Sequence, residues 1–125
     1  TDAVISKASG KDVTLFRPPD GAWGDALRAQ ARDSGQAMIL WGVDSGDWGK
    51  LGADAITKRV VDGAYSGSIV SLHDGNAATA KALPKIIKGL KGKGYTLVTV
   101  STLLAGDIQP GDVAYGLNDV QRDAE

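Results

Sequence analysis

Four short apolar runs, Val13–Phe16, Ala37–Val43, Ser68–Leu72 and Tyr95–Val100, recur along the chain at intervals too wide for hairpins. They are nearly continuous in apolar character rather than alternating, the pattern of strands covered on both faces. Between them the period changes. Ala22–Ser34 carries Leu27 and Ala31 four apart and stops at Gly35, and Asp54–Gly63 places Ile56 and Val60 on one face. Ala78–Lys91 sets Leu83, Ile86, Ile87 and Leu90 along one amphipathic stripe, closed by Gly92 and Gly94. Pro84 fits there only if the helix starts close upstream, where N–H groups lack intrahelical partners anyway. Thr1 or Asp2 caps a further helix that Gly10 ends. A chain opening inside an element reads as part of something longer.

Strand and helix in alternation predict βαβ units and a parallel sheet, an α/β fold. Four parallel strands suit an open doubly wound sheet or a segment of a barrel. The barrel segment would leave strand edges that only further polypeptide covers. Past Leu104 the pattern dissolves. Ala105–Gly116 is rich in Gly, Asp and Pro and Asn118–Glu125 is polar, so residues 105–125 are expected to form a surface tail.

Composition narrows the function. The 125 residues suit one domain, and 42% hydrophobic with 23% charged residues is globular. A net charge of −1 offers no basic field for nucleic acid. Cysteine is absent, which removes disulfides, thiolate nucleophiles and Cys-based zinc sites. No apolar stretch approaches the roughly 20 residues of a membrane span, and Thr1–Ile5 does not read as a signal peptide.

Polar clusters follow three of the apolar runs: Arg17-Pro18-Pro19-Asp20-Gly21, Asp44-Ser45-Gly46-Asp47-Trp48 and Leu72-His73-Asp74. On neighbouring parallel strands these clusters would meet at the strand C-termini, the face that carries chemistry in such proteins. Arg17 precedes Pro18, which pushes it toward an extended conformation and aims its guanidinium. Taken alone, Asp44 and Asp47 read as turn formers with Trp48 packed on the core; the functional alternative is that one carboxylate orients an imidazole while the indole offers a sugar platform. His73 is the only histidine, and a carboxylate such as Asp47 beside it makes it a candidate general acid. Asp74, Asn76 and Thr79 read as caps of the following helix, and the lysines from Lys81 to Lys93 as its solvated face. Neither GxGxxG nor a Walker loop is present.

Taken in order, Leu15-Phe16-Arg17-Pro18-Pro19-Asp20-Gly21, Trp41-Gly42-Val43-Asp44-Ser45-Gly46-Asp47-Trp48 and Ser68-Ile69-Val70-Ser71-Leu72-His73-Asp74 resemble the last three motifs of polysaccharide deacetylases with the NodB-homology domain, carbohydrate esterase family 4. Ala82–Ile87 with Lys93–Val100 is similar to the family's closing helix and strand, so the resemblance spans residues 1–104.

It implies a distorted (β/α) barrel that removes acetyl groups from sugars. A divalent metal, commonly zinc, is held by an Asp and two His and activates the attacking water, with an aspartate as base. By motif match Arg17 would hold that base, and the backbone N–H of Asp20 would help stabilise the oxyanion. His73 would protonate the leaving group and Asp47 would tune it, while Trp48 and Leu72 would wall the acetyl pocket.

Two residues depart from the family pattern. Asp20 stands where an aromatic is usual, and Ser71 where leucine is usual. The family's Thr-Phe-Asp-Asp-Gly and His-x-x-x-His motifs do not occur in this chain. The expectation is therefore the C-terminal half of a deacetylase domain, incomplete in this chain, with zinc or another divalent metal liganded from outside it. The expected partners are the N-terminal half and an acetylated polysaccharide such as chitin oligomers or peptidoglycan. The location implied is extracellular or in the cell envelope. Acetylxylan esterase, or a non-catalytic carbohydrate-binding module on the same scaffold, are the alternatives.

Overall fold

The structure is a computed structural model that describes residues 1–124; Glu125, the last residue of the expected tail, lies outside them. The helices are α1 (Asp2–Ser9), α2 (Asp25–Asp33), α3 (Ala53–Gly63), α4 (Ala77–Gly92) and α5 (Val100–Leu103). The strands are β1 (Leu15–Phe16), β2 (Ala37–Ile39), β3 (Val43–Asp44), β4 (Val70–Ser71), β5 (Val113–Gly116) and β6 (Asp119–Gln121). They belong to two compact units, one of residues 1–40, 106–115 and 119 onward, the other of 41–105 and 116–118.

The first unit is built on a sheet ordered β1-β2-β5-β6. β1 and β2 run parallel with Leu15 opposite Ala37, and β2 and β5 run parallel with Met38 opposite Val113. Met38, Val113 and Ala114 are fully buried, as the unbroken apolar run of β2 predicts for a strand covered on both faces. α1 ends as expected: Gly10 takes the left-handed conformation (φ 69°) and its N–H bonds the Ser6 carbonyl.

The expected tail is corrected here. Val113–Gly116 and Asp119–Gln121 are strands, and Asp112 in front of them is buried. The sequence hides this because Asp112 reads as a loop residue until its partners are known. The backbone N–H groups of Gln109 and Asp123 donate to its carboxylate at 3.0 and 2.9 Å, and Arg122 donates at 2.8 Å. Burial opposes the charge on Asp112, but these donors outweigh it and hold the carboxyl below the usual range. Arg28 lies 5.0 Å from the Trp23 ring and donates to the Gly111 and Gln121 carbonyls, and Trp23 Nε1 donates to Tyr115 Oη at 3.1 Å.

In the second unit β3 and β4 pair in parallel, with Val43 opposite Val70 and Asp44 opposite Ser71. Ile56 and Val60 of α3 meet Ala82, Ile86 and Leu90 of α4 in a buried cluster against which Val70 and Leu72 pack. Gly89 is required by this contact. A Cβ on it would come within 2.7 Å of Val61 Cγ2, so the helices approach closely only because glycine stands there.

Four further expectations change. The run Ala37–Val43 is not one strand but β2 and β3, because its backbone N–H groups change partner. Leu40 donates to the Ala114 carbonyl, whereas Gly42 and Val43 donate to that of Ile69. The expected strand Tyr95–Val100 forms no ladder among the described residues; Thr99 instead caps α5, its hydroxyl accepting from the Thr102 N–H at 3.1 Å. The buried stripe of α4 is Thr79, Ala82, Ile86 and Leu90, leaving Leu83 and Ile87 exposed at 44% and 37%. Pro84 lies well inside α4 rather than near its start, and the proline and Ala80 four residues before it are both exposed, so the unbonded Ala80 carbonyl can meet water.

Candidate active site

The second unit brings the only histidine and a buried carboxylate into direct contact. β3 ends at Asp44, whose Oδ1 accepts the Gly46 N–H at 2.7 Å and turns the chain back on itself. Gly46 holds the left-handed conformation (φ 68°), and a Cβ on it would collide with the Arg59 guanidinium. The tight turn delivers Asp47 to the interior, where its side chain has no exposed surface. β4 runs parallel to β3, so the loop after its C-terminus brings His73 to the same end.

Asp47 and His73 are joined twice. The His73 backbone N–H donates to Asp47 Oδ2 at 2.7 Å, and ring Nδ1 lies 2.7 Å from Oδ1. Burial raises the Asp47 carboxyl, but the His73 ring, the His73 N–H, Thr79 and Ser45 together hold it down at about 2. An ionised carboxylate can only accept, so Nδ1 carries the proton and Nε2 is the nitrogen left to act. Since the His73 side chain is 47% exposed, that nitrogen can reach a ligand from solvent. The pair thus forms an oriented, half-open proton donor or acceptor.

Trp48 follows Asp47 and is 75% exposed, a flat apolar face in water rather than a core residue. Leu72 is half-buried, packs against the α3–α4 cluster and lines an apolar groove of about 570 Å³ with Leu83, Ile87, Leu97 and Val98; neither Asp47 nor His73 lines it. Arg17 and Asp20 belong to the first unit, both exposed. Arg17 ends β1 before the buried Pro18, and Asp20 takes a left-handed conformation (φ 56°, ψ 11°) within the single 3-10 turn Pro19–Gly21. Among the described residues no group of three or more His, Cys, Asp or Glu is placed to hold a metal ion, so the residues present do not fit one.

Thr79 is the neighbour of the Asp47–His73 pair that sequence reasoning missed. It reads as a helix cap, yet its hydroxyl donates to Asp47 Oδ2 at 2.8 Å. Asn76 caps α4 as expected, accepting from Ala78 and Thr79, but its Nδ2 also donates to the Asp47 carbonyl at 2.7 Å. The available signal was Thr79 at the third helical position, where a polar side chain reaches back over the helix start.

No family model matches the chain. It is 44% identical over 99 residues to a peptidoglycan-N-acetylglucosamine deacetylase of Bacillus cereus, a match covering 75% of this chain and 46% of that one. The fold agrees with the Xyl-CE4 domain of a multidomain xylanase from the hindgut metagenome of Trinervitermes trinervoides, with a TM-score of 0.82 at 30% identity over 94% of this chain and 58% of that one. The chain belongs to carbohydrate esterase family 4. A second relative, the peptidoglycan-N-acetylmuramic acid deacetylase PdaC of Bacillus subtilis, is 41% identical over 82% of this chain and 21% of its own length. The chain spans about half the length of the Bacillus cereus relative or less of others, and its parallel α/β elements match the family's barrel over that part. No helix among the described residues is long and apolar enough to cross a membrane.

Proposed function

We propose that this chain supplies the proton-delivering part of a metal-dependent deacetylase acting on N-acetylglucosamine-containing polysaccharide, chitin oligomers or peptidoglycan. The observation that carries the reading is the buried Asp47 carboxylate locked on Nδ1 of a half-exposed His73, in a chain of this family. As the amide C–N bond breaks, the leaving amine takes a proton from Nε2 of the doubly protonated ring. The ring is left neutral with Nδ1–H still on Asp47. Asp47 holds orientation and balances the charge without itself titrating at neutral pH.

The remaining roles follow the family resemblance. Arg17 positions an aspartate base, the backbone N–H of Asp20 meets the oxyanion, and Trp48 and Leu72 wall the acetyl group. The base and the metal ligands, for zinc or another divalent ion, come from polypeptide outside this chain, the N-terminal half of the domain. A wall-polymer substrate places the protein outside the cell or in its envelope. Acetylxylan is the competing substrate, favoured by the likeness to the xylanase-borne domain.

The test is acetate release by the completed domain. Turnover of chitin oligosaccharides or peptidoglycan above that of acetylated xylan supports the amide reading, and the reverse order replaces it with the ester reading. No acetate from any of them ends both.

A further inference from the structure

Asp47 is held by more than its histidine. Oδ2 accepts two donors, the His73 backbone N–H at 2.7 Å and the Thr79 hydroxyl at 2.8 Å. Two donors on one oxygen fix the carboxylate plane and leave Oδ1 for the ring. The Asp47 backbone is held as well: its N–H donates to Ser45 Oγ at 3.3 Å and its carbonyl accepts Asn76 Nδ2 at 2.7 Å. Asn76 spends its other end on the first turn of α4, accepting the Ala78 N–H at 2.8 Å. The start of one helix thus grips both the main chain and the side chain of Asp47. Thr79 is buried, so its hydroxyl donates to Asp47 rather than to water.

We infer that Thr79 and Asn76 are positioning residues, which clamp Asp47 from the N-terminus of α4 so that Nδ1–H of His73 stays bonded to Asp47 in both charge states of the ring and Nε2 is the nitrogen that gains and delivers the proton. The clamp itself is a property of this chain; its use in catalysis rests on the deacetylase reading. A bare cap would need only Asn76 Oδ1. The bonds from Asn76 Nδ2 and Thr79 Oγ1 lead away from the helix toward Asp47, which a capping role alone leaves unexplained.

The experiment uses the single histidine of the chain, whose ring nitrogens give one unambiguous set of signals in long-range ¹H–¹⁵N spectra. In the parent the neutral ring is Nδ1–H. Thr79→Val, which keeps shape and removes the donor, frees the carboxylate to turn Oδ1 away from the ring and should move the tautomer balance up to roughly tenfold toward Nε2–H, the worth of the Nδ1–H bond to a charged group that is then lost. Thr79→Ser should restore the parent balance, and Asn76→Ser, which keeps a cap but cannot reach Asp47, should move it as Thr79→Val does. Backbone amide spectra of the same samples verify folding, and Thr79→Ser decides the matter should Thr79→Val unfold: a shifted balance in folded Thr79→Ser overturns the clamp. An unchanged tautomer in folded Thr79→Val also overturns it. Failure of the deacetylase reading would leave these spectra as expected, whereas failure of the clamp would leave acetate release intact in Thr79→Val, so the two are distinguishable.

Discussion

Replacing Asp47 by Asn keeps the shape of the buried carboxyl and removes its charge, and the cost can be worked from its surroundings. The carboxyl drops from an ordinary 3.8 to about 2 because the donors from His73, Thr79 and Ser45 outweigh burial. At about 1.4 kcal/mol per tenfold change, that difference is about 2 kcal/mol of folding stability. A carboxyl lowered in the folded state stabilises above its unfolded value and loses that contribution as pH falls through the folded one. The advantage of the parent over Asp47→Asn should therefore be about 2 kcal/mol at pH 5 and roughly half of that at pH 3. Urea unfolding of both proteins at pH 5, 4 and 3 measures it. Taking the difference between them cancels the other lowered carboxyls, including Asp112. Parallel stability profiles over that range, with no narrowing of the gap, would refute the account of how Asp47 is held.

Two further substitutions separate packing from binding. Gly89→Ala gains about 1 kcal/mol of helix propensity but drives a methyl against Val61 Cγ2, an overpacking cost of about 1–3 kcal/mol. A net fall in Tm is expected, relieved when Val61→Ala is added; a rise in Tm for the single variant would contradict the close helix contact. Trp48→Ala should leave stability within about 0.5 kcal/mol, since the indole is mostly solvent-exposed. In the completed domain it should raise KM for a sugar oligomer by roughly two- to tenfold, read from acetate release. Unchanged KM would remove the platform role.

What the sequence disclosed follows from which signals are local. The helices are periodic, and the expected Asp54–Gly63 and Ala78–Lys91 match Ala53–Gly63 and Ala77–Gly92 closely. Continuous apolar runs carry no phase, so nothing in Ala37–Val43 marks the change of hydrogen-bond partner after Leu40. Leu97 and Val98 look like a strand, yet a strand needs a neighbour, and the described residues supply none beside them. β5 stayed hidden because its hydrophobic run is short and Asp112 is compensated only by distant groups such as Arg122 and the Asp123 N–H. At the candidate site the pairing of Asp47 with His73 was legible from motif order. Thr79 was not, because the same residue at a helix start serves equally as a cap, and only geometry shows its hydroxyl bonded to Asp47.

Substituting His73 by Gln in the completed domain is the most direct measurement, with kcat and KM for acetate release from a chitin oligosaccharide compared with the parent. Glutamine offers a polar side chain but no titratable proton, so kcat should fall by roughly 100-fold or more while KM stays within a few-fold. A His73→Gln enzyme that turns over near the parent rate would contradict the claim that this imidazole delivers the proton.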